Sequence, residues 1–349
     1  MFNPAGVTEF ELVRHYFSHT MQTLSLTSRR KEVWNFWRWT LPALAMTNHQ
    51  TANRGLLVMS AMCLHFHGPD AIDTQSKYVL AAEAHGEIFV EESRKQLDTL
   101  DPAEIESHMA CTKLLSTLGF AFYRNHRLKG VRLTSAAAWR WLHLLRGVSP
   151  VYEALKATTG EALTPTITQD MTPEMTHRNH EFDLVEFAPS IDERNHPLFL
   201  FILQSRNERF TALHKAINES NSLFSDSDRA DLLAATTLLE IVTEHVCTGE
   251  VFSLFRALCH FPGSIPKGFV DMLTDCHHLA LAVYAHWLML VIMIENYWWV
   301  GDMGRAGIVE ILSICESASQ DLNILLAWPQ QAMDFAKPDE VLGYTPSSI

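Results

Sequence analysis

The chain has 349 residues and a formal net charge of −13, so its field repels a phosphate backbone and nucleic-acid binding is not expected. A hydrophobic share of 47% against 19% charged residues excludes general disorder and supplies a large core, expected at this length to be one continuous domain over 1–349. The six cysteines, at 63, 111, 247, 259, 276 and 315, form no CxxC pair, which excludes a zinc knuckle and a disulfide framework and leaves small buried residues in a reducing compartment.

The first residues lack the basic start and apolar run of a secretory signal. Glu9 to Leu24 then predicts a helix, with Phe10, Val13, Tyr16, Phe17, Met21 and Leu24 at helical spacing. Val33 to Ala45 is rich in aromatics, and Asn53 to Phe66 repeats the helical period before Gly68 and Pro69 stop it. Thr74 to Thr99 predicts a longer amphipathic helix, and Pro102 opens another that runs to Tyr123. Thr134 to Leu145 follows, with Thr134 and Ser135 as caps and Gly147 as its end.

From 158 to 197 periodicity fades among Thr, Pro, Asp and His, which predicts an irregular excursion or lid. Helices resume over Leu198 to Asn218 and, capped by Ser225 or Asp226, on to Val246. Phe269 to Trp299 is apolar nearly all round and predicts a long buried central helix. Its most apolar part, Leu279 to Ile294, is interrupted by His286 and falls short of the ~20 residues that span a bilayer, so no membrane span is expected. A last helix is predicted from Arg305 to Trp328, ended by Pro329, with a loose tail over 338–349. The fold class is therefore all-α, a single multi-helix domain around one central helix, and the location expected is cytoplasmic.

Three segments carry a resemblance. They are Glu11 to Phe17 with Trp39, Leu41, Pro42 and the helix Leu56 to Phe66; Trp139 to Val148; and Asn296-Tyr297-Trp298-Trp299-Val300-Gly301 after the apolar helix. Together they resemble the C-terminal regulatory domain of fungal zinc-cluster transcription factors, especially the sterol-uptake regulator type, over most of the chain. Those factors begin with a six-cysteine zinc cluster and a basic linker, whereas here the likeness starts within about ten residues of Met1. The resemblance then implies a partner subunit, a decayed copy or recruitment to another task. The noncanonical humulene synthases of fungal tropolone-sesquiterpenoid pathways resemble the same fold and cyclise farnesyl diphosphate with magnesium.

Such chemistry needs carboxylates for Mg²⁺, a basic donor for the diphosphate and a dry aromatic cavity. Asp271 and Asp275 share a helix face with His278, although carboxylates at a helix start also suit its dipole. Glu295 and Asn296 precede the tryptophan pair, and Asp302 stands eight residues before Glu310, the outer spacing of a second cyclase metal motif, with Ala306 where a hydroxyl ligand belongs. Asp302 equally reads as a helix cap.

Arg305 is the candidate diphosphate donor, and Lys267 stands in for the essential helix lysine that the synthases are thought to use, since Phe269 to Leu326 holds none. Tyr284, Trp287, Trp298, Trp299, Phe252 and Phe255 are candidate cavity walls for a carbocation, or simply core. Glu240, Glu244 and His245 form a second acidic group, or a solvated face. The histidine groups 65–67, 177–180 and 277–278 lack zinc-site spacing and read as surface or core residues. No GxSxG, HExxH, Walker or GxGxxG motif occurs.

Two functions follow as expectations. One is a magnesium-dependent class I sesquiterpene cyclase that converts farnesyl diphosphate to humulene or a related hydrocarbon. The other is a regulatory protein without a zinc cluster that binds a sterol or other apolar small molecule. Either is compatible with a homodimer.

Overall fold

The computed structural model describes residues 6–25, 34–47, 49–67, 76–99, 104–146, 197–220, 225–248, 254–316 and 318–335, and every regular element among them is helical. The chain is all-α. The excursion expected over 158–197 lies outside the described residues except for Pro197, which opens a helix, and so do the tail over 338–349, the boundary signals at Gly68, Pro69, Pro102 and Gly147, Phe252 and the side chain of Phe255. The described residues divide into two compact units, one up to Leu118 and the other from Gly119 onward.

The first unit begins with α1 (Glu9–His15), which Thr8 caps by accepting the Glu11 N–H at 3.1 Å. The helix passes through a π turn (Tyr16–Thr20) into α2 (Met21–Ser25). A second π turn (Phe36–Thr40) leads to α3 (Leu41–Met46), followed by α4 (Gln50–His67) and α5 (Lys77–Thr99). α4 is buried without interruption from Gly55 to Cys63, because α1, α3 and α5 all pack on it. The tyrosine of the first π turn ties the unit together: Tyr16 Oη donates to the Trp37 carbonyl at 2.7 Å.

α6 (Ile105–Leu128) runs on past Leu118 into the second unit. There a short 3₁₀ turn (Ala136–Trp139), capped by Ser135 as its sequence signalled, leads to α7 (Arg140–Arg146). The later elements are α8 (Pro197–Glu219), α9 (Asp226–Thr248), α10 (Leu254–Ser264), α11 (Lys267–Thr274), α12 (His278–Val291), α13 (Met303–Ile314) and α14 (Gln320–Ala332).

The apolar run read as one helix from Phe269 to Trp299 is divided. α11 and α12 meet at a bend of 105°, and after Val291 the chain tightens into a 3₁₀ turn (Ile292–Ile294) and a series of turns. The bend rests on Cys276, which holds φ at 55° while the His277 N–H reaches back to the Met272 carbonyl at 2.8 Å. α12 remains the central helix, buried at every position from Ala280 to Val291 under α9, α10, α11, α13 and α14. The helix expected from Arg305 to Trp328 is likewise two, and Pro329 lies inside α14 instead of ending it. No single helix among the described residues is long and apolar enough to cross a membrane.

α13 packs on α12 through small residues. A Cβ on Gly304 would stand 2.7 Å from the Leu288 carbonyl oxygen, which is backbone and cannot yield, whereas one on Gly307 would meet only the movable Leu288 side chain. Gly304→Ala is therefore expected to cost about 1–3 kcal/mol in denaturant unfolding. Gly307→Ala should lie nearer neutral, because a helix-propensity gain of about 1 kcal/mol offsets the repacking.

Candidate functional site

The residues singled out for metal, diphosphate and cavity fall in the second unit and do not converge on one site. Lys267 and Asp271 pair with each other across one turn of α11 at 3.0 Å, with 73% and 53% of their side chains exposed. Asp275 and His278 are exposed as well. This is a solvated face, and a surface pair of this kind contributes little.

Trp287 is fully buried on α12, donates its indole N–H to the Leu258 carbonyl at 3.1 Å, and stacks between Phe261 and Tyr284 with ring centroids at 5.8 and 5.3 Å. Trp298 and Trp299 are also buried, set edge to face at 5.3 Å, and Tyr297 stacks on Trp299. These rings are packed core. His286, on the same helix, donates through Nδ1 to the Ala282 carbonyl at 2.8 Å, and burial pushes its pKa down to about 4, which keeps it neutral.

Arg305 and Glu295 meet in the interior. The Glu295 side chain is 0% exposed; its Oε1 accepts the Arg305 backbone N–H and its Oε2 accepts Arg305 Nε, each at 2.9 Å. The other two guanidinium nitrogens donate to the carbonyls of Met333 and, at 2.8 Å, Phe335. One arginine thus joins the turn after α12, the first turn of α13 and the end of α14, and each of its three guanidinium nitrogens is engaged. Removing one partner of such a buried pair strands the other, so Glu295→Ala is expected to lose about 3–5 kcal/mol of stability in chemical denaturation.

Glu310 is also internal, accepting the Leu133 N–H at 2.7 Å, while Asp302, eight residues earlier, is exposed at the start of α13 with no capping hydrogen bond from its side chain. The two are not spent alike. Asp302 acts electrostatically on Arg124, whose guanidinium donates to the Trp298 carbonyl. Asn296, half-buried, has a buried Oδ1 that finds no partner among the described residues.

Beside Glu310 lies a group of which the sequence reading singles out only Tyr284, as a cavity wall. Tyr123 and Arg127 are one turn apart on α6, and Tyr284 reaches them from α12. Burial pushes both phenols well above their ordinary pKa, and for Tyr284 the neighbouring Tyr123 pushes further, while the Arg127 charge opposes it. Both hydroxyls therefore stay protonated. Tyr123 Oη, Tyr284 Oη and Arg127 Nη1 are buried with no well-formed hydrogen bond among the described residues, and they interact with one another, Tyr123 with both Arg127 and Tyr284. Aromatic walls enclose them: Trp141 stands 5.1 Å from Tyr123, and Trp139 stands 5.2 Å from Tyr284. Two hydroxyls and a guanidinium hold more donors than acceptors, and a water or a ligand oxygen supplies the balance. The sequence signal was the one-turn spacing of Tyr123 and Arg127, which is common on helices and silent about burial.

Glu240 and Glu244 line a shallow surface groove of about 260 Å³ between α8 and α9, with Arg206, Asn207, Phe210 and Ile241. Both acids are paired there, Glu240 with His214 at 3.3 Å and Glu244 with Arg206 at 3.0 Å. No model of a known protein family matches the chain, and no curated protein matches it.

Proposed function

We propose that the chain is a regulatory-type binding module whose second unit takes up an apolar small molecule bearing one oxygen. The observation that carries this reading is the buried trio Tyr123, Tyr284 and Arg127, which holds more donors than acceptors and sits among aromatic rings. A hydroxyl or carbonyl on an otherwise apolar skeleton, as in a sterol or a terpenoid alcohol, supplies the missing acceptor while its hydrocarbon meets the rings. The resemblance to sterol-uptake regulators points to the same ligand class. Arg305 and Glu310, the strongest candidates for diphosphate and metal, are committed to internal hydrogen bonds, which weighs against catalysis.

The cyclase reading keeps one observation in its favour: exposed Asp302, the Arg124 guanidinium and the Trp298 carbonyl come together at the start of α13. One set of assays separates the two readings. Sterols or sesquiterpene alcohols are expected to quench tryptophan fluorescence saturably, and Tyr284→Phe should weaken binding about tenfold with at most about 1 kcal/mol lost in stability, since the hydroxyl it deletes interacts only weakly with Tyr123. Quenching that is absent, or unchanged in Tyr284→Phe, contradicts the binding site. A magnesium-dependent hydrocarbon from farnesyl diphosphate, lost in Asp302→Ala, establishes the cyclase instead.

A further inference from the structure

The first unit holds a cluster that neither reading of the second unit uses. His19 closes the π turn after α1, and Cys63 and His67 stand one turn apart at the end of α4. The Cys63 sulfur, one ring nitrogen of His19 and one of His67 all lie within 4.8 Å of one another. The Cys63 Sγ to His67 Nδ1 separation is 3.9 Å, and the two imidazoles meet edge to face at 6.1 Å. His15 adjoins them, its ring 5.3 Å from that of His19.

We infer that His19, Cys63 and His67 form a binding site for a divalent cation of the zinc class, with the fourth position held by water. Two imidazoles and a thiolate are donors that favour zinc over magnesium or calcium, which prefer oxygen. Zinc bonds of about 2.0–2.3 Å place tetrahedral donors roughly 3.3–3.6 Å apart, so the observed spacing contracts by a few tenths of an ångström on the pair that is measured. On binding, the Cys63 thiol proton passes to solvent and the sulfur ligates as thiolate, while both histidines ligate as neutral rings.

Two features outside the donor set support the site. The helix that carries His19 is locally π-helical over Tyr16–Thr20, a departure from α geometry that recurs at functional sites. The supporting shell is also in place: the Thr20 and Thr23 hydroxyls hydrogen-bond to the Cys63 sulfur, and Thr20 Oγ1 stands 2.9 Å from His15 Nδ1, which fixes that ring. The donors grade from buried Cys63 through half-buried His19 to exposed His67, so a cation has a path in from solvent.

The test uses the full chain, reduced and stripped of metal by a chelator, and titrated with Co²⁺ and then with Zn²⁺. One equivalent of Co²⁺ is expected to give a thiolate-to-cobalt charge-transfer band with the visible bands of a tetrahedral ion, both erased by Zn²⁺. Cys63→Ser removes the charge-transfer band, and Cys259→Ser leaves it intact. Exposed His67 provides a variant that does not disturb packing: His67→Gln should weaken binding beyond the roughly 10–100-fold caused by loss of a supporting partner. A titration without a thiolate band, a band that survives Cys63→Ser, or an affinity unchanged in His67→Gln overturns the site.

Discussion

A carboxylate with no exposed surface cannot stay ionised unless its partner is held as firmly as it is, and in the second unit that requirement is met by Glu295 and Arg305. The pair decides how the chain leaves the central helix. Glu295 accepts both the backbone and the side chain of Arg305, so the turns after Val291 are clamped to the first turn of α13, and the remaining guanidinium bonds hold the end of α14. α13 can then lie against α12 closely enough that Gly304 meets the Leu288 carbonyl. A residue type that invites a phosphate-binding assignment is here part of the frame.

Much of the fold was legible in the sequence. Helical spacing placed α4, α8 and α9 close to their observed bounds, and the helical run from Glu9 to Leu24 without its π turn, because an amphipathic face pays for itself only when it is buried. What failed was punctuation. The 105° bend depends on Cys276 in a left-handed conformation, usually signalled by glycine or asparagine, so nothing in the residue type marked it. Pro329 was read as a stop, yet α14 continues through it between buried Trp328 and buried Ala332, packing that offsets the lost hydrogen bond.

The candidate sites were less legible, because residue type and spacing carry no information on burial. Asp271 and Asp275 share a helix face suited to a metal, but Asp271 pairs with Lys267 in solvent. Asp302 and Glu310 have motif spacing, but one is exposed and the other is consumed by Leu133. The His19, Cys63 and His67 cluster was missed for the opposite reason: its donors come from two helices distant in sequence, and zinc-like spacing along one segment is a poor guide to such a site. The Tyr123, Arg127 and Tyr284 trio became visible only when its polar atoms proved to be buried together.

The account turns on whether Arg305 belongs to the frame or to a ligand site. A double-mutant cycle with Glu295→Ala, Arg305→Ala and the double variant, read by chemical denaturation without any ligand, measures this directly. The structure predicts a coupling of about 1–3 kcal/mol, with the double variant much less destabilised than the sum of the singles. Singles that add to within about 0.5 kcal/mol would contradict it and return Arg305 to the list of residues free to hold a substrate.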